Sequence, residues 1–167
     1  MDQITITRLA EGEIDTLIPL AHRIWHAHYP GIITTEQIDY MLERGYTRKV
    51  ILNEMVNQGV IWLKICSGES MVGFAALGPY APDSMKLHKL YLLPEFHGAG
   101  IGARALADVE QIARDNAASR LVLNVNKHNV KAIRAYERAG WRVSEEVVVD
   151  IGNGYVMDDF VMSRQLK

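Results

Sequence analysis

The residues best suited to chemistry lie in the second half of the chain. There His97-Gly98-Ala99-Gly100-Ile101-Gly102-Ala103 follows an apolar run and opens a helical pattern. At such a junction the free N–H groups of a helix start converge and the helix dipole favours negative charge, so the segment can hold a phosphate. Glycine suits the task because side chains would block close approach of the backbone, and because an anion-binding nest needs positive φ at some positions. The same residues have other readings. Glycine loops also serve as plain tight turns, and Gly98, Gly100 and Ala103 satisfy the dinucleotide fingerprint G-x-G-x-x-A. That fingerprint wants an acidic residue about 20 positions on, at the end of the next strand. The next strand here ends Asn124-Val125-Asn126, and the chain beyond Ala103 is too short for the rest of a doubly wound sheet. No G-x-x-x-x-G-K-[ST] occurs, which excludes a P-loop. His22 and His26 share a helical face, but no acidic or cysteine partner in the sequence completes a ligand set, so no metal is expected.

Stepping outward, the loop needs a strand before it and a helix after it, and the patterning supplies both. Ile4 and Ile6 alternate with threonines as a short strand, and Ile14, Leu17, Ile18, Ala21, Ile24 and Trp25 recur at helical spacing up to Pro30-Gly31, with Pro19 obscuring the start. Thr34-Thr35-Glu36-Gln37 reads as a capping box opening a second helix that Gly45 ends. Thr47 caps a third, with Gly59 just past its end. Val60 to Ile65 and Met71 to Leu77 form a hairpin around Ser67-Gly68-Glu69-Ser70, and Leu87 to Leu93 is a further strand stopped by Pro94. Ala103, Leu106, Val109, Ile112 and Ala113 mark the helix after the loop. The run Leu121 to Val125 suits a strand covered on both faces, and Asn129 caps a helix reaching Gly140. Val143 to Val149 and Tyr155 to Met162 close the chain as a hairpin around Gly152-Asn153-Gly154. Met41, Met55 and Phe74 read as core. The plan is α+β, a mixed, mostly antiparallel sheet with flanking helices, in a single domain over residues 1–167.

Composition narrows the function classes. With 167 residues, 49% hydrophobic and 23% charged, the chain can bury a substantial core. A net charge of −2 provides no polybasic field for nucleic acid or an anionic membrane. The lone Cys66 excludes an internal disulfide, the start MDQITITRL lacks signal-peptide features, and no apolar run approaches a membrane span. A cytoplasmic location is expected, and a homodimer is left open.

The stretch Leu87-His88-Lys89-Leu90-Tyr91-Leu92-Leu93-Pro94-Glu95-Phe96-His97-Gly98-Ala99-Gly100-Ile101-Gly102 resembles the signature strand, loop and helix start of the GNAT superfamily of acetyl-CoA-dependent N-acetyltransferases. Its loop pattern is [Q/R]-x-x-G-x-[G/A], in which Gly100 and Gly102 match while His97 stands where Gln or Arg is usual. Asn124-Val125, Asn129, Ala132, Tyr136-Glu137 and Gly140-Trp141 resemble a second motif of the family, N-V-x-x-x-N-x-x-A-x-x-x-Y-E-x-x-G-[F/W]. The final segment Gly154 to Met162 resembles the last strand of small bacterial members.

The resemblance implies a GNAT fold and transfer of an acetyl group from acetyl-CoA to a primary amine by direct attack in a ternary complex. The acceptor would be a polyamine, another small amine, or a protein N-terminus or lysine. Leu90, Tyr91, Leu92 and Leu93 would pair their backbone with the pantetheine amides as an added strand, and His97 to Ala103 would hold the pyrophosphate. Asn129 would meet the pantetheine or lie at the edge of the reacting centre, and Tyr136 would place its hydroxyl near the thioester sulfur as the acid for the departing thiolate, protonated at neutral pH with an ordinary pKa of about 10. A lysine-like amine costs about 4.6 kcal/mol to hold neutral at pH 7, so a base is useful. His88, in phase with Leu90 and Leu92, is the candidate, with Asn124 holding a relay water. Trp25, His28, Tyr29 and Tyr155 are candidate acceptor walls, and Glu36, Asp39, Glu43, Asp158 or Asp159 beside them would suit a cationic amine. A non-catalytic acyl-CoA sensor is the alternative from another class.

Overall fold

The computed structural model describes residues 2–166. Its spine is a seven-stranded sheet in the order β1-β2-β3-β4-β5-β7-β6. The strands are β1 (Ile4–Arg8), β2 (Ile61–Ser67), β3 (Ser70–Ala81), β4 (Ser84–Leu92), β5 (Arg120–Asn126), β6 (Arg142–Gly152) and β7 (Tyr155–Gln165). The helices are α1 (Ile14–His28), α2 (Thr35–Gly45), α3 (Arg48–Asn57), α4 (Ile101–Asp115) and α5 (Val130–Arg138). Neighbouring strands are antiparallel except β4 and β5, which run parallel and pair at Ser84/Arg120, Met85/Leu121 and Lys86/Val122. Past Lys86 the two strands separate. β4 continues to Leu92 paired with β3, and β5 continues to Asn126 paired with β7, so their facing edges open a wedge in the sheet.

One cause of the separation is local. Ala76 pairs with Lys89 and Leu77 with Leu87, which leaves His88 as the extra residue of a β-bulge in β4. A bulge bends its strand and sharpens the twist, and here it does so where β4 leaves β5. The expected phase of His88 with Leu90 and Leu92 is thereby corrected: the bulge breaks the alternation at His88 itself.

Two apolar clusters clamp the sheet. One joins α1, α2 and α3 to it through Trp25, Ile38, Leu42, Ile51, Trp62 and Phe74. The other joins α4 and the base of α5 through Val109, Ala113, Leu121, Leu123 and Trp141. Pro19 lies inside α1 rather than at its start, since the helix begins at Ile14 after a 3-10 turn over Glu11–Glu13. The capping box at α2 forms by half. Gln37 donates its backbone N–H to Thr34 Oγ1 at 3.2 Å, but its side-chain amide turns away to donate to the Val156 carbonyl at 3.0 Å. The same side chain that would have completed the cap thus ties α2 to β7. Asn129 stands at the start of α5 without a side-chain capping bond, contrary to its expected capping role. The last hairpin turns through Asn153 and Gly154 at φ +54° and +79°, the positive pair that a two-residue type I′ turn requires.

Candidate active site

The wedge between β4 and β5 is the floor of a cavity of about 740 Å³. The strand edges that face it are unpaired to each other beyond Lys86 and Val122, so backbone groups of β4 are free to bond an extended ligand. Leu90, Tyr91 and Leu92 line it. Leu93 does not belong with them. Its N–H donates to the Val72 carbonyl at 2.9 Å and its carbonyl accepts from Phe96 N–H at 2.9 Å, because the chain turns into Pro94–Phe96 there.

At one end of the cavity the glycine segment meets α4. Gly98 and Gly100 sit at φ +80° and +79°. A Cβ built on Gly98, Gly100 or Gly102 would meet no heavy atom within 4 Å, so the backbone there faces open space. The first hydrogen bond of α4 runs from Arg104 N–H to the Gly100 carbonyl, which leaves the N–H groups of Ile101, Gly102 and Ala103 without helical partners. Open space, left-handed glycines and orphan donors at a helix start form a cradle that fits a pyrophosphate. Gly98, Gly100, Gly102 and Ala103 line the cavity, whereas the Ile101 side chain is buried in the core and can offer only its backbone. Ala99 is exposed beside them.

His97, the position that departs from the family pattern, has a defined place. Its Nε2 bonds the Leu92 carbonyl at 2.9 Å and its Nδ1 lies 3.1 Å from Lys131 Nζ. A carbonyl only accepts, so Nε2 carries the hydrogen and Nδ1 accepts from the ammonium. The ring therefore ties the end of β4 to α5 and holds Lys131 beside the cradle. Lys131 was not among the residues singled out from sequence. A lysine on an exposed helix face carries no signal until the fold sets it next to the loop.

Tyr136 enters from α5. Its ring packs 5.7 Å from Trp141, which is 2% exposed, and the residue lines the cavity. Burial, with a smaller effect of Tyr29, pushes the phenol well above its usual range, so it is a proton donor at every physiological pH. Asn129 is buried and also lines the cavity, facing His28 of α1. Burial holds His28 below its usual pKa, and the proximity of His97 and Lys131 adds to the effect.

The opposite side is aromatic. Tyr29 and Tyr91 share a hydrogen bond at 2.7 Å between their hydroxyls, with the Trp25 ring 4.5 Å from Tyr29 and 5.6 Å from Tyr91. Burial pushes Tyr29 up to about 12. Trp25, His28 and Tyr29 thus stand at the cavity as expected. Tyr155 does not: it packs on Tyr40 at 5.1 Å, part of the seat by which the β6–β7 turn rests on α2. Of the acids considered as companions, Asp39 pairs with His26 at 3.1 Å and Asp158 with Lys127 at 3.0 Å. The His26 contact also supplies an acidic partner the sequence did not reveal. Among the described residues no group of three or more His, Cys, Asp and Glu side chains could hold a metal ion.

His88 lies at the bulge, open to the cavity. The protein packed around it, and then the ammonium groups of Lys89 and Lys86, push its imidazole down to about 4. It is neutral at physiological pH but a weak base, since a general base works best with a pKa near the working pH. Asn124, on the outer part of β5, lines the cavity across from it.

A cofactor-sized wedge between parallel strands, ending in a glycine cradle and flanked by a buried tyrosine, defines an acyl-CoA-dependent transferase. The chain matches the acetyltransferase (GNAT) family over residues 21–141 and belongs to it. It is 28% identical over 146 residues to a spermidine N(1)-acetyltransferase of Thermoplasma acidophilum, covering 85% of this chain and 90% of that protein. An N-acetyltransferase of Mycobacterium tuberculosis is 27% identical over 154 residues, 92% of this chain and 98% of its own length. Among solved structures, the PaiA N-acetyltransferase of Thermoplasma acidophilum, in complex with coenzyme A, superposes with a TM-score of 0.83 at 24% identity, covering 98% of this chain and 99% of that one. The spermidine N-acetyltransferase of Vibrio cholerae, in complex with CoA and spermine, gives 0.71 at 18% identity, covering 98% and 96%. Among the described residues no helix is long and apolar enough to cross a membrane.

Proposed function

We propose that this chain acetylates a primary amine, with acetyl-CoA as donor and both substrates bound at once. The observation that carries the reading is the wedge between β4 and β5, whose strand edge and the glycine cradle of α4 line one cavity. A bound acetyl-CoA supplies an activated thioester. Residues of this chain do the rest. The N–H groups of Ile101 to Ala103 and the Lys131 ammonium take the pyrophosphate charge, and the β5-facing edge of β4 at Leu90 to Leu92, apart from the Leu92 carbonyl that His97 holds, aligns the pantetheine. Tyr136 donates its proton to the departing sulfur, a role for which its buried, protonated phenol is suited. Tyr29, Tyr91 and Trp25 wall the acceptor side and keep water from the thioester. The Thermoplasma acidophilum relative named as a spermidine N(1)-acetyltransferase supports an aliphatic amine as acceptor, with polyamines first in line.

The test is release of free coenzyme A measured against a panel of polyamines, small monoamines and peptides with free N-termini. Amine-dependent thiol release is expected for at least one class. Binding of acetyl-CoA without any such release would replace this reading by that of a sensor.

A further inference from the structure

We propose that Asp159 of β7 is the acceptor residue of this enzyme: its carboxylate binds the incoming ammonium in the cavity and removes one proton from it. The proposal rests on the acetyl-transfer reading and assigns the group that reading lacks. Asp159 pairs in register with Asn126, so it projects from the same face of the sheet as Asn126 and Asn124 and borders the cavity. It is 5% exposed, and its Oδ1 is buried with no hydrogen-bond partner. A buried carboxylate oxygen left unbonded is costly, and a protonated amine, with three N–H donors, would satisfy it.

The other carboxylates near this face are committed elsewhere. Asp158 and Asp39 are in ion pairs, and Glu54 Oε1 accepts from Trp62 Nε1 at 3.0 Å. His88, pushed down to about 4, is neutral at physiological pH and offers an incoming ammonium no counter-charge. Asp159 is the one acid among the described residues that line the cavity.

The groups that face Asp159 are Asn124 of β5, Lys86 of β4, Asp158 next to it on β7, and Tyr29 of α1, close enough to feel its charge. Burial raises its pKa. The neighbouring Asn124 amide and the charge of Lys86 offset part of the rise, while Asp158 adds to it. A carboxylate raised in this way is a better base than an exposed one.

The proton balance is simple. The ammonium loses one N–H proton to Asp159, which later releases it to solvent. The freed amine forms a C–N bond to the thioester carbon as the C–S bond breaks. The second proton shed by nitrogen compensates the one that Tyr136 gives to the thiolate.

The test compares wild type with Asp159→Asn and Asp159→Glu, using the amine turned over best by the wild type. For Asp159→Asn, kcat/KM for the amine is expected to fall about 100-fold or more, with the Kd for acetyl-CoA unchanged within about twofold. The acidic limb of the wild-type kcat/KM profile should disappear with it, and Asp159→Glu should recover part of the loss. Because the wild-type fold holds a buried charge at a cost above its pKa, substrate-free Asp159→Asn should also melt higher than wild type near pH 8. Turnover of the amine within about threefold of wild type, or a parallel loss of acetyl-CoA binding, would overturn the assignment while leaving the acetyl-transfer reading in place. A wild-type protein that acetylates no amine would overturn both.

Discussion

At the scale of single residues, Tyr136 and His88 illustrate how much environment alters a side chain of known chemistry. Both were candidates on residue type and position. Burial raises the tyrosine and so preserves the protonated form that the proposed proton donor needs, whereas the protein packed around it and two lysines lower the histidine until it is a poor base. Tyr136→Phe is expected to lower kcat about 100-fold while calorimetry finds the Kd for acetyl-CoA little changed, because the ring remains packed on Trp141. His88→Gln should leave the shape of the pH–rate profile above about pH 6 intact, since the ring there is already neutral. It should change acid stability instead. The unfolded chain takes up the proton near the ordinary pKa of about 6.5, and the folded protein only near 4, so wild-type stability falls as pH drops through that window. Urea melts between pH 7 and pH 4 should show a shallower fall in the variant. His97 and Asn129 stand in the motifs and both line the cavity, but their contacts with Lys131 and His28 were not legible, since those partners come from other helices.

Elements bring the same lesson to the backbone. The glycine cradle was readable because its requirements are local: small residues, a helix start, and positive φ at defined positions. Gly100→Val tests it. A β-branched residue at φ +79° costs about 1–2 kcal/mol of backbone strain and projects its side chain into the space a phosphate would fill. Steady-state kinetics should give a KM for acetyl-CoA raised roughly tenfold, with less effect on the KM for the amine. The bulge at His88 was not readable in the same way. It exists only as a mismatch between β4 and its partner β3, and β3 shows no trace of it in its own residues. Gln37 is a similar case. Its spacing from Thr34 fits a capping box, yet a tertiary bond to Val156 outcompetes the local one.

For the whole molecule, the consequence of the wedge is that a bound ligand would supply the strand contacts the sheet itself lacks between β4 and β5. Acetyl-CoA at about 100 times its Kd should therefore stabilise the fold by about 2.7 kcal/mol, which raises Tm by roughly 5–10 °C in a domain of this size. A scanning-fluorimetry titration checks this, and NAD should give no comparable shift. The dinucleotide reading of the glycine loop fails at this scale too, because its strand is the fourth of a mostly antiparallel sheet rather than the first of a doubly wound one.

The amino-acid sequence by itself determined the order and kinds of the elements, the α+β plan, the glycine loop at the start of α4, and the motifs in which Tyr136 and Asn129 stand. Each of these depends on residue types within a turn or two of one another, where periodicity, capping and backbone freedom act. Only the tertiary structure decided that β4 and β5 part beyond Lys86, that Leu93 is occupied by its own turn, that Tyr155 rests on α2, and that Asp159 is the acid left facing the cavity. These depend on strand register, burial and charge neighbours contributed by distant segments. A carboxylate's exposure and partners, unlike its identity, are set when the sheet assembles around it.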